Sequence, residues 1–453
     1  MEDGAAAMLS TITPAGCGVE VDVHLPLEVT TEEIQDKRKK LAENLRRHEH
    51  EVHITIPKAA RTVRLWIANS GALDEPVAPS PLVTDPEITA DYKTGRAPWG
   101  LDLRGDAVLI SLYQMMLLVT GLSNQGKTAA LRALALWLAL DPKVEFRIAD
   151  LKGIGDWRMF LDLATILIEG PTDDHVMAAT HMVEGAFEEM NRRLTSGESD
   201  FPPLIVIVDE AQVAYGSAAK GDDGRPYGGD KNSSRYFRAV KGIHDQGRAV
   251  NVVIWEGTQD PTNQNLPKRS REGNHIRASL ALGTEAQAKM AIGETPVAAG
   301  AAPHKLRRGI DKGQLVAAGD GVPLPAGQAS LNVRTHYIDI DAATEIAARA
   351  KARRNPVATS SGDEPVEERD HLADVRSVLG TEDRVRTSEV IHRLKRLDHA
   401  YYRNWDGARL RKVMTDVGEG TDMLNGYPII KLQRVVEALA RRGQDSGEAG
   451  SSR

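Results

Sequence analysis

One cysteine, few aromatic side chains, no long apolar run and no surplus of positive charge: each shortage in this 453-residue chain closes off a class of answer. Cys17 cannot form an intramolecular disulfide, and with no second thiol there is no cysteine metal cluster. Phe, Tyr and Trp make up 4% of residues against 41% hydrophobic overall, so the cores must be packed mainly from Ala, Val, Ile and Leu. No apolar run approaches the ~20 residues that cross a bilayer. The longest stretches, 108–122 and 129–140, flank a glycine-lysine loop that interrupts them. No signal peptide stands at the N-terminus. The expectation is a cytoplasmic protein with no transmembrane segment of its own, recruited peripherally to a membrane only through membrane or septal partner proteins. The formal net charge is −7, so the chain is not a basic nucleic-acid coat, and any DNA contact must come from local basic patches.

What is present divides into segments. Residues 1–95 read as a small α+β domain. "GVEVDVHLPLEV", "EVHITIP" and "TVRLWIAN" alternate as strands, and "TTEEIQDKRKKLAENLRRHEH" reads as a charged helix capped by Thr30 or Thr31. The Pro-rich, acidic "GALDEPVAPSPLVTDPE" reads as a connection to the second segment. Residues 96–345 alternate apolar strands ("MMLLVTG", "VEFRIADLKG", "PLIVIVDEAQ", "AVNVVIWEGTQ", "IRASLALG") with helices. That pattern implies an α/β fold with a mostly parallel sheet covered on both faces. The Gly- and Asp-rich "GSAAKGDDGRPYGGDKNSS" reads as a loop. Residues 346–366 read as a polar linker, residues 367–443 as short helices with a wing strand in "NGYPII", and residues 444–453 as a disordered tail. Three helices and a wing suggest a winged-helix-like module.

The chemistry centres on Gly121-Leu122-Ser123-Asn124-Gln125-Gly126-Lys127-Thr128, which fits G-x-x-x-x-G-K-[ST] between a strand and a helix. Such a loop turns its backbone N–H groups toward phosphate oxygens, and the following helix adds its N-terminal partial charge. Lys127 is placed to reach the β- and γ-phosphates of ATP, and Thr128 to hold Mg²⁺. The strand "LIVIVDEAQ" ends in Asp209 and Glu210. In this context the first carboxylate is a second Mg²⁺ ligand and the next orients and deprotonates the attacking water. Gln259 ends the next strand, where a polar side chain can sense the γ-phosphate.

These motifs and their order resemble the FtsK/SpoIIIE-type DNA translocases over about residues 15–340, which implies a RecA-like P-loop motor. "APWGLDLRGDAV" resembles the lead-in strand, and "IADLKG" the Asp-Pro-Lys segment through Asp150 and Lys152. "EEMNRRL" resembles the Glu-Met-x-x-Arg motif, with Arg192 and Arg193. "QGRAVNVVIWEGTQDP" resembles the stretch that carries Arg248 and Gln259, and "KGQLVAAGDG" the closing strand. "NHIRASLALGTEAQAKMAIG" resembles the segment placing an arginine, here Arg277, at the subunit boundary. The resemblance implies a homo-hexameric ring with double-stranded DNA in its channel. ATP would lie between subunits, with Lys127, Thr128, Asp209 and Glu210 from one chain and Arg277, or as second choice Arg248, from its neighbour. The first domain would form a second ring tier. Ser123-Asn124-Gln125 stand where the family has small residues, and Asp260 where it has arginine. The family's membrane-spanning segments and long linker do not appear. These departures point to the shorter branch similar to actinomycete TraB-type conjugative plasmid-transfer proteins, away from chromosome segregation. An FtsK-like ATPase for chromosome segregation, or a type VII-like protein-export ATPase built on the same fold, is the alternative, and an adaptor with a degenerate ATPase a third.

Between Arg384 and Lys412 nine Lys/Arg face three Asp/Glu, a local +6 in a chain that is −7 overall. Such a patch suits phosphate contacts. "DGARLRKVMTDVG" would be the recognition helix, with Arg409, Arg411 and Lys412 on DNA. Tyr401, Tyr402 and Trp405 precede it, either as further contacts or as core.

Overall fold

Leu204–Asp209 and Val252–Thr258 have no exposed residue at any position, as strands covered by helices on both faces require. In the computed structural model they lie near the middle of a ten-stranded sheet. The structure describes residues 8–57, 59–75, 77–325, 327–354, 370–398, 402, 405–416, 422–424 and 427–448. Along the chain the strands are β1 (Met8–Leu9), β2 (Thr13–Ala15), β3 (Gly18–His24), β4 (Val52–Thr55), β5 (Thr62–Ala68), β6 (Ala97–Leu101), β7 (Ala107–Ile110), β8 (Leu117–Thr120) and β9 (Glu145–Asp150). Then come β10 (Ala164–Glu169), β11 (Leu204–Asp209), β12 (Val252–Thr258), β13 (Ile276–Ser279), β14 (Gln314–Gly319), β15 (Leu331–Thr335), β16 (Arg384–Arg386), β17 (Asp422–Leu424) and β18 (Tyr427–Lys431).

The large sheet runs β10-β9-β11-β12-β8-β13-β14-β15-β6-β7. From β10 to β13 every pairing is parallel. From β13 to β7 every pairing is antiparallel. The parallel half with its glycine-lysine loop is the RecA-like P-loop arrangement, and the antiparallel half extends it. Register matters for function. Thr258 pairs with Thr120 and Asp209 with Asp150, so the carboxyl ends of β8, β9, β11 and β12 finish side by side. Ligands of open α/β sheets bind at such an edge.

Residues 8–68 form a separate antiparallel sheet, β1-β3-β5-β4 with β2 on β3. Val21, Val23, Val52, Ile54, Val63 and Leu65 make its own core. The expected single helix is two, Thr31–Asp36 and Arg38–Asn44, and Thr30 is the cap, in a reciprocal bond with Glu33.

Both expected boundaries of the large-sheet domain move. Leu82 and Tyr92 belong to the core of the large sheet, and the Tyr92 amide donates to Asp141 Oδ2 at 2.9 Å. The large-sheet domain therefore begins near residue 80 rather than 96. At the far end, residues 346–354 are not linker. Helix Ile340–Arg354 buries Ala343, Ile346, Ala347 and Ala350 in the core of the large sheet. Arg354 donates to the carbonyls of Ala139, Asp141, Pro142 and Val144. The remaining linker positions, 355–366, lie outside the described residues.

The C-terminal module has helix His371–Leu379, β16, helices Thr387–Leu397 and Gly407–Asp416, the hairpin β17–β18, and helix Leu432–Glu448. Its sheet order is β16-β18-β17. Its elements thus run helix, strand, two helices, hairpin and helix. The last helix continues to Glu448, into the tail read as disordered. The segment read as a loose loop, 216–234, is pinned by the buried Tyr227 and by Ser234, whose hydroxyl donates to the Tyr227 carbonyl at 3.0 Å.

Candidate active site

The loop after β8 is held open by its own backbone. Asn124 has φ 60° and Gly126 φ 105°, the left-handed values that fold successive amides into a concave nest. Among the described residues the backbone amides from Ser123 to Thr128 donate to no acceptor. Six free donors at the start of helix Lys127–Ala139 make a ready anion site. Gln125 explains how the departure from small residues is tolerated. Its side-chain Nε2 donates to the Ser123 carbonyl at 3.3 Å, its Oε1 accepts from the Gly309 amide at 3.2 Å, and its backbone carbonyl accepts from the Gly313 amide at 2.9 Å. Its side chain braces the loop from behind and leaves the amides unblocked. Gly126 packs against the Gly313 backbone, where a Cβ would sit 3.4 Å away.

Lys127, Asp209 and Glu210 are brought together and buried. The Lys127 ammonium pairs with Asp209 and lies 3.1 Å from Glu210 Oε1. Burial works against that ammonium, but the Asp209 and Glu210 carboxylates outweigh it and hold its pKa above the usual lysine value. Asp209 is the mirror case: burial raises its pKa, the Lys127 charge and hydrogen bonds lower it further, and the net is downward. Thr128 Oγ1 donates to Asp209 Oδ2 at 2.6 Å. Glu210 sits at φ 61°, ψ 47°, a left-handed conformation that a non-glycine residue keeps only where its surroundings impose it. Its carboxylate accepts from Gln259 Nε2 at 3.0 Å and from Gln212.

Two residues that sequence reasoning missed complete the site. The Trp157 indole N–H donates to Asp209 Oδ2 at 3.3 Å. Gly257 on β12 leaves room for the charge pair, since a Cβ there would sit 2.6 Å from Asp209 Oδ1. An indole in "GDWRMF" and a glycine in a strand carry no local signal of either task.

Arg277 and Arg248 are not brought to this cluster. Arg277 lies on β13 opposite Leu118, two residues below the loop edge. Its side chain has no hydrogen bond or ion pair among the described residues, and burial lowers its pKa. Arg248 precedes β12, at the opposite edge of the sheet. Arg193 is scaffold: it pairs with Glu189 and donates to the Pro202 and Val250 carbonyls. Asp150 accepts from the amides of Lys152 and Gly153, shaping the turn beside Asp209.

In the C-terminal module Arg409, Arg411 and Lys412 are exposed along helix Gly407–Asp416, while Leu410 and Met414 face the core. Tyr402 and Trp405 are core residues, and Tyr401 lies outside the described residues. The Arg409 guanidinium rests 5.3 Å from the centre of the Trp405 ring. Part of the +6 faces inward: Arg393 pairs with Glu382 and Glu389, and Arg386 reaches Met177 of the large-sheet domain. No helix among the described residues is long and apolar enough to cross a membrane.

Neither a protein-family model nor a curated protein matches this sequence. Among solved structures the fold is similar to the pCW3 conjugation coupling protein TcpA, in monomer form with ATPγS. That likeness has a TM-score of 0.49 and 16% identity, over 78% of this chain and 95% of that one. It is similar to the cytoplasmic domain of the type VII secretion ATPase EccC of Thermomonospora curvata, with a TM-score of 0.45 and 15% identity, over 61% of this chain and 34% of that one. It is also similar to two ATPase domains of EssC from Geobacillus thermodenitrificans, with a TM-score of 0.44 and 13% identity, over 62% and 52% of the two chains. Likenesses of this size do not carry a function across.

Proposed function

We propose that this chain is an ATP hydrolase that drives double-stranded DNA through a homo-hexameric ring, in the transfer of plasmid or mobile-element DNA between cells. The observation that carries the proposal is the convergence of Lys127, Asp209, Glu210 and Gln259 on one buried point beside a nest of free amides. The triphosphate would replace the carboxylates as the partner of Lys127. Thr128 and Asp209, two oxygen donors already in contact, suit a hard cation and would hold Mg²⁺. Bound there, Mg²⁺ would neutralise charge on the phosphates. Glu210 would then be free to orient a water and accept its proton. Gln259 ties that carboxylate to the end of β12, so loss of the γ-phosphate would be felt along the strand. Arg277, uncommitted among the described residues, suits a role at a neighbour's phosphates; Arg248 is the second choice.

The exposed Arg409, Arg411 and Lys412 support the DNA half of the reading. Cations on the outer face of a recognition helix fit a phosphate backbone and base edges in a major groove. A small N-terminal unit with its own core suits a second ring tier. Location in the cytoplasm, with recruitment to a membrane by partner proteins, belongs to the same proposal, as does choice of substrate DNA by short repeats. Displacement of a triplex-forming oligonucleotide from duplex DNA tests it. ATP-dependent release is expected, and an unchanged triplex with wild-type protein and ATP would count against translocation.

A further inference from the structure

Strand β12 carries a single charged residue, Glu256, which has no exposed surface. A carboxylate in the middle of a fully buried strand costs free energy unless it is hydrogen-bonded or paired. Three helices supply its partners. The Tyr215 hydroxyl, on helix Ala211–Gly216, donates to Glu256 Oε1 at 2.9 Å. The Ser270 hydroxyl, on helix Lys268–Glu272, donates to Glu256 Oε2. His244 Nε2, on helix Arg235–Gln246, lies 3.6 Å from the same oxygen. Burial, and then the Glu256 charge, raises the Tyr215 pKa well above the usual tyrosine value, so its hydroxyl keeps the proton it donates. Packing alone would be served as well by an apolar side chain. What the carboxylate adds is direction, with its two oxygens held by different helices.

The Tyr215 bond leads to the reaction centre. Glu256 pairs with Val208, at the end of the strand that delivers Asp209 and Glu210. Helix Ala211–Gly216 starts at the residue after Glu210, and a helix this short is not stable by its own hydrogen bonds. Glu210 itself stands in the left-handed region, which its surroundings must impose. Gln259, just past the end of β12, donates to the Glu210 carboxylate at 3.0 Å. The same strand therefore holds the Glu210 turn twice. Gln259 holds the carboxylate, and Glu256, through Tyr215, holds the helix that follows it.

We infer that Glu256 is a positioning residue for hydrolysis: through Tyr215 it fixes the backbone turn that aims the Glu210 carboxylate at the attacking water. The inference rests on the proposed role of Glu210 and adds the buried group that keeps it in place. Ser270 is bound to the other oxygen from a helix on the far side of Gln259 in the chain, so its bond serves packing and not the reaction.

Steady-state ATP hydrolysis by the full chain, with kcat and KM resolved, tests it. Tyr215→Phe keeps the ring and removes one hydroxyl. It should lower kcat about tenfold, the scale of one hydrogen bond to a charged group, with KM for ATP within about twofold. Ser270→Ala removes the bond to the other oxygen. Its melting temperature should fall as that of Tyr215→Phe does, yet its kcat should stay within about twofold of wild type. Glu256→Gln retains an acceptor for Tyr215 and should stay within about threefold. Adding Tyr215→Phe to Glu210→Gln should cost no further rate, because the tyrosine acts only through that carboxylate. Wild-type kcat in Tyr215→Phe would overturn the inference and leave Glu210 standing. Equal kcat losses in Tyr215→Phe and Ser270→Ala would also overturn it, as would a further loss of about tenfold in the double variant. Wild-type turnover in Glu210→Gln would overturn the reading of Glu210 itself, and the inference with it.

Discussion

At the carboxyl edge of the large sheet, Lys127, Asp209 and Glu210 are each 5% exposed or less, and each charge has a partner. On the C-terminal module, Arg409, Arg411 and Lys412 stand in solvent on a helix whose other face is core. Removed from water, charges interact strongly and fix one geometry, and that is what a reaction needs. Left in water, they act weakly and at range, with a strength that falls as salt rises. A change at the sheet edge should therefore alter rate and fold together. A change on the module should alter only affinity and its salt dependence.

The first way to break this contrast is Lys127→Ala. ATP hydrolysis should fall below detection in a phosphate-release assay. Because the lysine also compensates two buried carboxylates, the variant should lose ~3–5 kcal/mol of stability by denaturant titration. Its pH dependence should reverse. In wild type the Asp209 pKa is lowered, so its contribution is full above the ordinary value of 3.8 and is lost as pH falls through the folded value. Without the lysine, burial would raise the Asp209 carboxyl, and stability should increase as pH falls. A variant as stable as wild type at neutral pH would mean that the Lys127 pairing with Asp209 and Glu210 contributes nothing.

Glu210→Gln should retain ATP and slow hydrolysis by ~10²–10⁴-fold, measured in a single-turnover assay. Truncation is next in size. Ending the chain at 345 removes Ile346, Ala347, Ala350 and the four carbonyl bonds of Arg354. Melting should drop sharply, since one buried Ile alone is worth ~1.5–3 kcal/mol. Ending it at 360 should leave the motor folded and hydrolysing ATP, with its selectivity among duplexes gone. On the module, Arg411→Ala should weaken binding to a preferred duplex by ~1–3 kcal/mol if the side chain meets a base. If it meets phosphate, all duplexes should weaken alike and the salt slope should flatten. Anisotropy titrations at two salt concentrations separate the cases.

The smallest effect concerns how the module rests on the motor. His181, on helix Asp173–Thr195, lies 4.8 Å from the His392 ring and 3.6 Å from Glu389. Burial, with the charges of His392, Arg235 and Arg393, pushes its imidazole down to about 3. Released, it would titrate near the ordinary 6.5. Docking should therefore be full above about pH 6.5 and weaken progressively as pH falls toward 3. Co-elution of the two halves after cleavage within 355–366 measures it, and His181→Asn should flatten the trend.

The sites are legible in the sequence to the extent that their geometry is local. Gly121–Thr128 act through backbone spacing, and Asp209 and Glu210 through their place at a strand end, so both can be read from a few residues. Trp157 reaches Asp209 across 52 positions, because β9 and β11 pair in register. Gly257 matters through a clearance between two other strands. The end of helix Ile340–Arg354 reads as linker because its buried face is mostly alanine and its arginines satisfy backbone carbonyls, an arrangement with little hydrophobic contrast. The C-terminal helices, with clear apolar periodicity, fall where the pattern puts them.

The central claim is that the buried edge hydrolyses ATP for the sake of DNA held elsewhere on the molecule. Steady-state ATPase rates of the full chain alone, with random duplex DNA and with unstructured peptide, test it most directly. The account predicts a low basal rate, a rise with duplex that falls steeply with salt, and no response to peptide. A rate that duplex leaves unchanged, or that only peptide raises, would contradict it.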